Sequence, residues 1–165
     1  MMQHHDELKK MINTADDPFN MALRIAMAGN VIDFGAQEQL DIRETLDRVV
    51  HSDLAIDDSE RLRSDLKTAE TVLYVGDNCG EIVLDELFVE AIAHPNLYFA
   101  VRGAPVLNDA TLDDAKMVGL NEKAQIITTG DNAPGAVWEN VSEEFRSVFK
   151  KRMLSFQKAR ETWKD

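Results

Sequence analysis

The sequence predicts an α/β fold: a three-layer sandwich built on a mainly parallel sheet, preceded by a small helical lead-in. Two observations carry this expectation. From residue 71 onward, three short β-rich apolar runs (71–75, 97–101 and 124–128) alternate with amphipathic helical stretches. Each run also stops at a loop containing Gly, Asn, Asp or Pro. Strand, helix, strand, helix, strand, helix implies right-handed crossovers and a parallel sheet covered on both faces.

The lead-in reads as helical from about residue 16 to 70. Met21, Leu23, Ile25 and Ala28 form a first pattern that ends at Gly29, and a second stretch runs over 42–50, with Leu46 and Val49 four and seven residues after Ile42. A third covers 57–69, where Asp57, Asp58 and Ser59 supply helix-start chemistry. Beyond the first strand, Gly76-Asp77-Asn78 opens a loop, a helix spans 81–93, and Pro95-Asn96 breaks it. Arg102-Gly103-Ala104-Pro105 follows the second strand. Thr111 is a candidate cap for a helix over 111–118, and a loop over 130–135 leads to a helix over 142–149 opened by Ser142-Glu143-Glu144. The organisation is therefore a helical lead-in (1–70), an α/β core (71–151) and an atypical tail (152–165), treated as one domain.

With 165 residues, 44% of them hydrophobic, the chain can bury one core. A formal charge of −12 argues against nucleic acid as a partner, because a phosphate backbone calls for a basic footprint. Cys79 is the single cysteine, which allows no internal disulfide and favours a reducing compartment. No apolar stretch approaches the ~20 residues of a membrane span. The polar start (Gln3, His4, His5, Asp6) has no signal-peptide core, so a cytoplasmic protein is expected.

In a parallel α/β sheet, ligands sit outside the carboxyl ends of the strands. Asp77 and Asn78 follow the first strand, Asn108 and Asp109 the second after a six-residue loop, and Asp131 and Asn132 the third. Carboxylate and amide oxygens are donors that suit Mg²⁺ or Mn²⁺. Asp, Asn and Gly are also the ordinary residues of turns, so any one pair reads more readily as a turn than as a ligand, and only three at equivalent strand ends bring the two readings level. The residues alone carry the argument to an acidic, metal-binding crevice. Adjacent His4 and His5 do not suit joint chelation and read as terminal decoration. His51 and His94 sit near helix ends, where a dipole contact is the ordinary explanation.

The segment Gly76-Asp77-Asn78-Cys79-Gly80-Glu81-Ile82-Val83-Leu84-Asp85 resembles the Asp-Asn-Ala-Gly-Glu-Ile-Val-x-Asp signature of the damage-control phosphatases. Val101 through Thr111 resembles that family's second signature, Ala28-Gly29-Asn30-Val31-Ile32-Asp33-Phe34-Gly35 a third, and Thr129-Gly130 through Gly135 a fourth. The resemblance implies a metal-dependent phosphatase for small phosphorylated metabolites such as sugar phosphates. It places a divalent cation (Mg, Mn, Co or Ni) on Asp77, Asn78 and Asp109, which would also be the catalytic set. Glu81, Arg102, Asn108, Asn30 and Asp33 are its candidate substrate-binding residues. Glu81 reads as a partner behind the cation's ligands or equally as a first-turn acid, Arg102 as an exposed arginine, and Asn30 with Asp33 as neighbours of a helix cap at Gly29. A non-catalytic metal-binding or oligomerising remnant is the alternative. A methyltransferase is disfavoured, because no Gly-x-Gly loop follows the first strand.

Relatives of this kind begin earlier and continue past the last helix into a buried strand and a Ser-Lys-Gly-Gln-Gly-Asn-x-Glu loop, whose lysine is expected to hold phosphate. Residues 152–165 read differently, although a permitted codon set for 156–164, shifted in frame, encodes Ser-Lys-Gly-Gln-Gly-Asn-Leu-Glu. The expectation is a frameshifted tail on a truncated chain, with a diverged amphipathic helix as the other reading. Such a tail should stay out of the sheet, leaving an open strand edge, weak catalysis and self-association.

Overall fold

The structure, a computed structural model, describes residues 4–34, 42–130, 136–151 and 154–157; for 31–34, 42 and 154–157 it describes the backbone alone. Four helices come first: α1 (His5–Thr14), α2 (Pro18–Phe34), α3 (Ile42–His51) and α4 (Ser59–Thr68). Then follow β1 (Val72–Val75), α5 (Ile82–Ile92), β2 (Leu97–Val101), α6 (Leu112–Met117), a 3-10 turn (Leu120–Glu122), β3 (Gln125–Thr128), α7 (Glu143–Lys150) and β4 (Leu154–Gln157).

All strand pairs are parallel, in the order β3-β2-β1-β4. Side chains alternate across this sheet, as strand geometry requires. Val72, Tyr74, Phe99 and Val101 face the larger core with α2 and α5. Leu73, Ala100 and Ile127 face the other way, onto Val141, Phe145 and Val148. The three layers are thus helices α1–α6, the sheet, and α7.

The lead-in differs from expectation in two ways. Helix α1 lies where only terminal decoration was expected: Leu8 and Ile12, four residues apart, bury one face of it, and Asp6 and Glu7 occupy its favourable first turn. Helix α2 also runs through Gly29 instead of ending there. It begins with Pro18 at a position that needs no N–H donor, while Asp17 Oδ1 accepts from Asn20 N at 3.1 Å. It then packs against α1, α3 and α5. Burial of Ala22, Ile25, Ala26 and Ala28 outweighs the ~1 kcal/mol that one internal glycine costs.

The tail overturns a further expectation. Residues 154–157 do enter the sheet, pairing Val72 with Leu154 through Val75 with Gln157. The sequence Leu154-Ser155-Phe156-Gln157 has the period of a strand. Beside it β1 finds partners for backbone groups that would otherwise be an exposed edge.

Candidate active site

The strand order places a topological switch at β1. The chain leaves β1 for β2 and β3 on one side and returns to β4 on the other. The carboxyl ends of the strands at such a point bound a crevice, and residues 76–81 emerge there.

Two loops are laced together at this edge. Ala110 N donates to Asp77 O at 2.7 Å and Cys79 N to Asn108 O at 2.8 Å, forming an antiparallel bridge between Asn78 and Asp109. Arg102 N donates to Ala110 O at 2.9 Å, which ties the same segment to the end of β2. A tight turn, closed by Asp109 N donating to Val106 O at 2.9 Å, delivers Asp109. Leu107 occupies that turn with φ 50 and is 92% exposed. A leucine in the left-handed region is uncommon and costs roughly 1–2 kcal/mol. The bridge therefore brings Asp77, Asn78 and Asp109, the three residues first nominated, to one place.

Their neighbours differ from the nominations. Asn78 is buried, and its Nδ2 donates to Glu81 Oε1 at 2.7 Å. Glu81 is 0% exposed, so it forms part of the wall behind Asn78 instead of a surface open to substrate. Arg102 is likewise no exposed arginine. Its Nε donates to Asp109 Oδ2 at 2.5 Å, with side chains 9% and 12% exposed. Asn108 is exposed at the lip. Asn30 lies within α2, the helix packed on α5. Asp33 occupies the last turn of α2, and its side chain lies outside the described residues, as do Asp131 and Asn132.

Helix α5 buries Glu81, Asp85 and Glu86, an unusual load of acid that is absorbed by specific partners. Tyr74 Oη donates to Asp85 Oδ1 at 2.8 Å and stacks on Phe99 at 5.0 Å. Burial pushes the Tyr74 hydroxyl well above its ordinary range, and the Asp85 charge adds to that. Glu86 meets His5 Nε2 at 2.8 Å and Lys123 Nζ. The partners of Asp85 and Glu86 do not follow from the sequence, whereas Glu81 reads there as a candidate partner behind the ligands. The Asp of the first signature is legible as a motif member, but its partner, a tyrosine inside β1, is not. Thr129, which opens the fourth signature, takes no role of its own from the sequence. It is buried at the end of β3, and its Oγ1 has no hydrogen-bond partner among the described residues.

Glycines let the loop ends converge. A Cβ on Gly103 would lie 2.9 Å from Gly130 Cα, and one on Gly130, at φ 81, would lie 2.7 Å from Ser142 Cβ. Only glycine permits both approaches.

Two carboxylates and one amide carbonyl make an all-oxygen donor set, which fits a hard divalent cation with water completing the shell. Among the described residues no group of three or more His, Cys, Asp and Glu side chains could hold a metal by themselves. The candidate set has only two such members, with Asn78 as the third donor. A cavity of about 440 Å³ lies elsewhere, lined by Leu23, Met27, Leu54, Ile56 and Leu62 among others. No described helix is long and apolar enough to cross a membrane.

Known proteins resemble this chain in sequence and in fold. The chain is 37% identical over 164 residues to the uncharacterized protein MJ0202 of Methanocaldococcus jannaschii, covering 95% of this chain and 54% of that protein. It is 36% identical over 137 residues to the damage-control phosphatase PH1575 of Pyrococcus horikoshii, covering 81% and 48% respectively. A damage-control phosphatase of Archaeoglobus fulgidus is 31% identical over 153 residues, covering 88% and 52%. The crystal structure of the DUF89 family protein ph1575 from Pyrococcus horikoshii superposes with a TM-score of 0.79 at 32% identity, over 93% of this chain and 55% of that one. The chain thus spans about half the length of the curated relatives it matches. Residues 1–157 match the family model of the damage-control phosphatase ARMT1-like domain, and the chain belongs to that family.

Proposed function

We propose that this chain carries the metal-binding site of a phosphatase acting on small phosphorylated metabolites, sugar phosphates among them. The observation that supports it is the backbone bridge between Asn78 and Asp109, which sets the segments carrying three oxygen-donor residues side by side at the switch point of the sheet. Asp77, Asn78 and Asp109 would hold the cation. When bound, it would neutralise phosphoryl oxygens and acidify a water for in-line attack.

The chain's own residues supply rigidity. Arg102 holds one oxygen of Asp109 in a nearly closed wall. Exposed Asn108 offers an amide at the lip, within reach of a ligand's hydroxyl or phosphate groups.

The test is a calorimetric Mn²⁺ titration with a phosphatase screen over sugar phosphates in Mg²⁺, Mn²⁺, Co²⁺ and Ni²⁺. Binding should be lost in Asp77→Ala and Asp109→Ala, and metal-dependent phosphate release should fall with it. Binding that survives both substitutions would refute the site. Phosphate release that persists in chelator would refute the metal's part in the reaction.

A further inference from the structure

We infer that Glu81 is a positioning residue, which fixes the amide of Asn78 in the one orientation that leaves its carbonyl oxygen available to a cation. The inference rests on the metal reading above and extends it to a residue that touches neither metal nor substrate.

The argument begins with amide chemistry. An Asn side chain has a donating end and an accepting end of nearly equal size, and only the accepting end can ligate a cation. Unless something breaks this near-symmetry, the amide can turn over and present N–H groups to the metal. Glu81 breaks it. Its Oε1 lies 2.7 Å from Asn78 Nδ2, and a carboxylate oxygen accepts but does not donate, so only the NH₂ end can face it. Oδ1 is thereby turned away from Glu81. The contact is well insulated, because Asn78 is 8% exposed and Glu81 0%. Burial excludes the water that would otherwise compete for either end of the amide.

The backbone supports the same pairing. Glu81 N and Ile82 N both donate to Asn78 O, at 3.1 and 3.2 Å, so residues 78–82 form one closed turn at the entrance to α5. The Glu81 side chain stands at that helix N-terminus, where the exposed N–H groups stabilise a negative charge. A buried carboxylate is expensive, and a fully buried one at a helix start, three residues from a candidate ligand, has a clear use in holding that ligand.

The test uses the full chain. Glu81→Gln keeps the volume, but its own amide can present either end, so the orientation of Asn78 is no longer unique. We expect Mn²⁺ to bind about 10–100-fold more weakly to Glu81→Gln in calorimetry, with the circular dichroism and thermal transition retained. Restoring a donor–acceptor pair in the reverse sense, Asn78→Asp with Glu81→Gln, should recover most of that loss. A double variant no better than Glu81→Gln alone would overturn the inference, as would a Glu81→Gln chain that binds as tightly as the parent. A parent chain that binds no Mn²⁺ would instead overturn the metal reading.

A metal-free measurement separates the two and needs no variant to fold. The side-chain amide protons of Asn78 in the parent should exchange more slowly with solvent than those of exposed Asn121 and Asn140. Equal rates would show that Glu81 does not hold the amide, whatever the metal does.

Discussion

At the scale of single residues, the site is decided by which charges are given partners. Asp109 and Arg102 form an ion pair that is nearly closed to solvent. Removing one member of such a pair leaves the other without compensation, which costs far more than the pair contributes when intact. Arg102→Ala should therefore lower stability by about 3 kcal/mol and weaken Mn²⁺ binding, because Asp109 loses its anchor. Arg102→Lys should restore charge without the planar fork and recover only part of either loss. Urea denaturation and calorimetry measure both effects, and an Arg102→Ala chain that unfolds like the parent would show the pair to be dispensable. From the sequence Arg102 reads as a phosphate ligand or a surface residue, whereas the structure pairs it with Asp109. Seven positions separate them in the chain, and only the turn at 106–109 makes them partners.

At the scale of elements, a charge clamp joins the lead-in to the core. Glu86 and Glu90 stand one turn apart on α5. They meet His5 and Lys9 from α1 on one side and Lys123 from the segment after α6 on the other. Burial alone would raise the Glu90 carboxyl, but hydrogen bonds from Lys123 and Lys9 outweigh it and hold the group below its ordinary range. Burial alone would lower Lys123, and its bonds to Glu86 and Glu90 outweigh that and hold it above the ordinary lysine value. A depressed carboxyl contributes stability above its unfolded pKa, lost as pH falls through the folded one. A raised lysine contributes below its unfolded pKa, lost as pH rises through the folded one. The clamp should thus be complete at neutral pH and weaken at both extremes. Lys123→Met should lower stability at pH 7 and flatten its fall between neutral pH and the carboxylate range. Urea denaturation across that range reads both, and an unchanged acid dependence would show that the clamp carries no linkage. Because Glu81 stands at the N-cap of α5, the clamp fixes the same helix that carries Glu81 behind Asn78.

At the scale of the whole molecule, the sheet depends on its last strand. β1 is paired on both sides, with β2 and with β4, and carries Val72, Leu73 and Tyr74, each at 0% exposure. Ending the chain at Lys151 removes β4 and turns β1 into an open, apolar edge, the situation that promotes strand pairing between molecules. Such a chain should melt at a lower temperature and scatter light as an oligomer where the parent does not. A truncated chain with the parent's melting temperature and mass would show that β4 contributes nothing to the sheet.

The sequence by itself determined the alternation of strands and helices, because apolar periodicity and punctuation by Gly, Pro, Asp and Asn are local signals. The runs at 71–75, 97–101 and 124–128 became β1, β2 and β3 with small changes at their ends; their positions named three Asp/Asn pairs after those strands, from which the family resemblance singles out Asp77, Asn78 and Asp109. Tertiary structure decided what local signals do not encode. Gly29 reads as a helix end, yet packing on α1, α3 and α5 carries α2 through it. Residues 154–157 read as readily in a helix as in a strand, and became a strand because β1 offered unpaired backbone beside them. Glu81, Arg102, Asp85 and Glu86 are acids and bases of ordinary surface type in the sequence. Their burial depends on the partner the fold gives each, across local turns for Glu81 and Arg102, from β1 for Asp85 and from distant segments for Glu86, because an unpaired buried charge is costly.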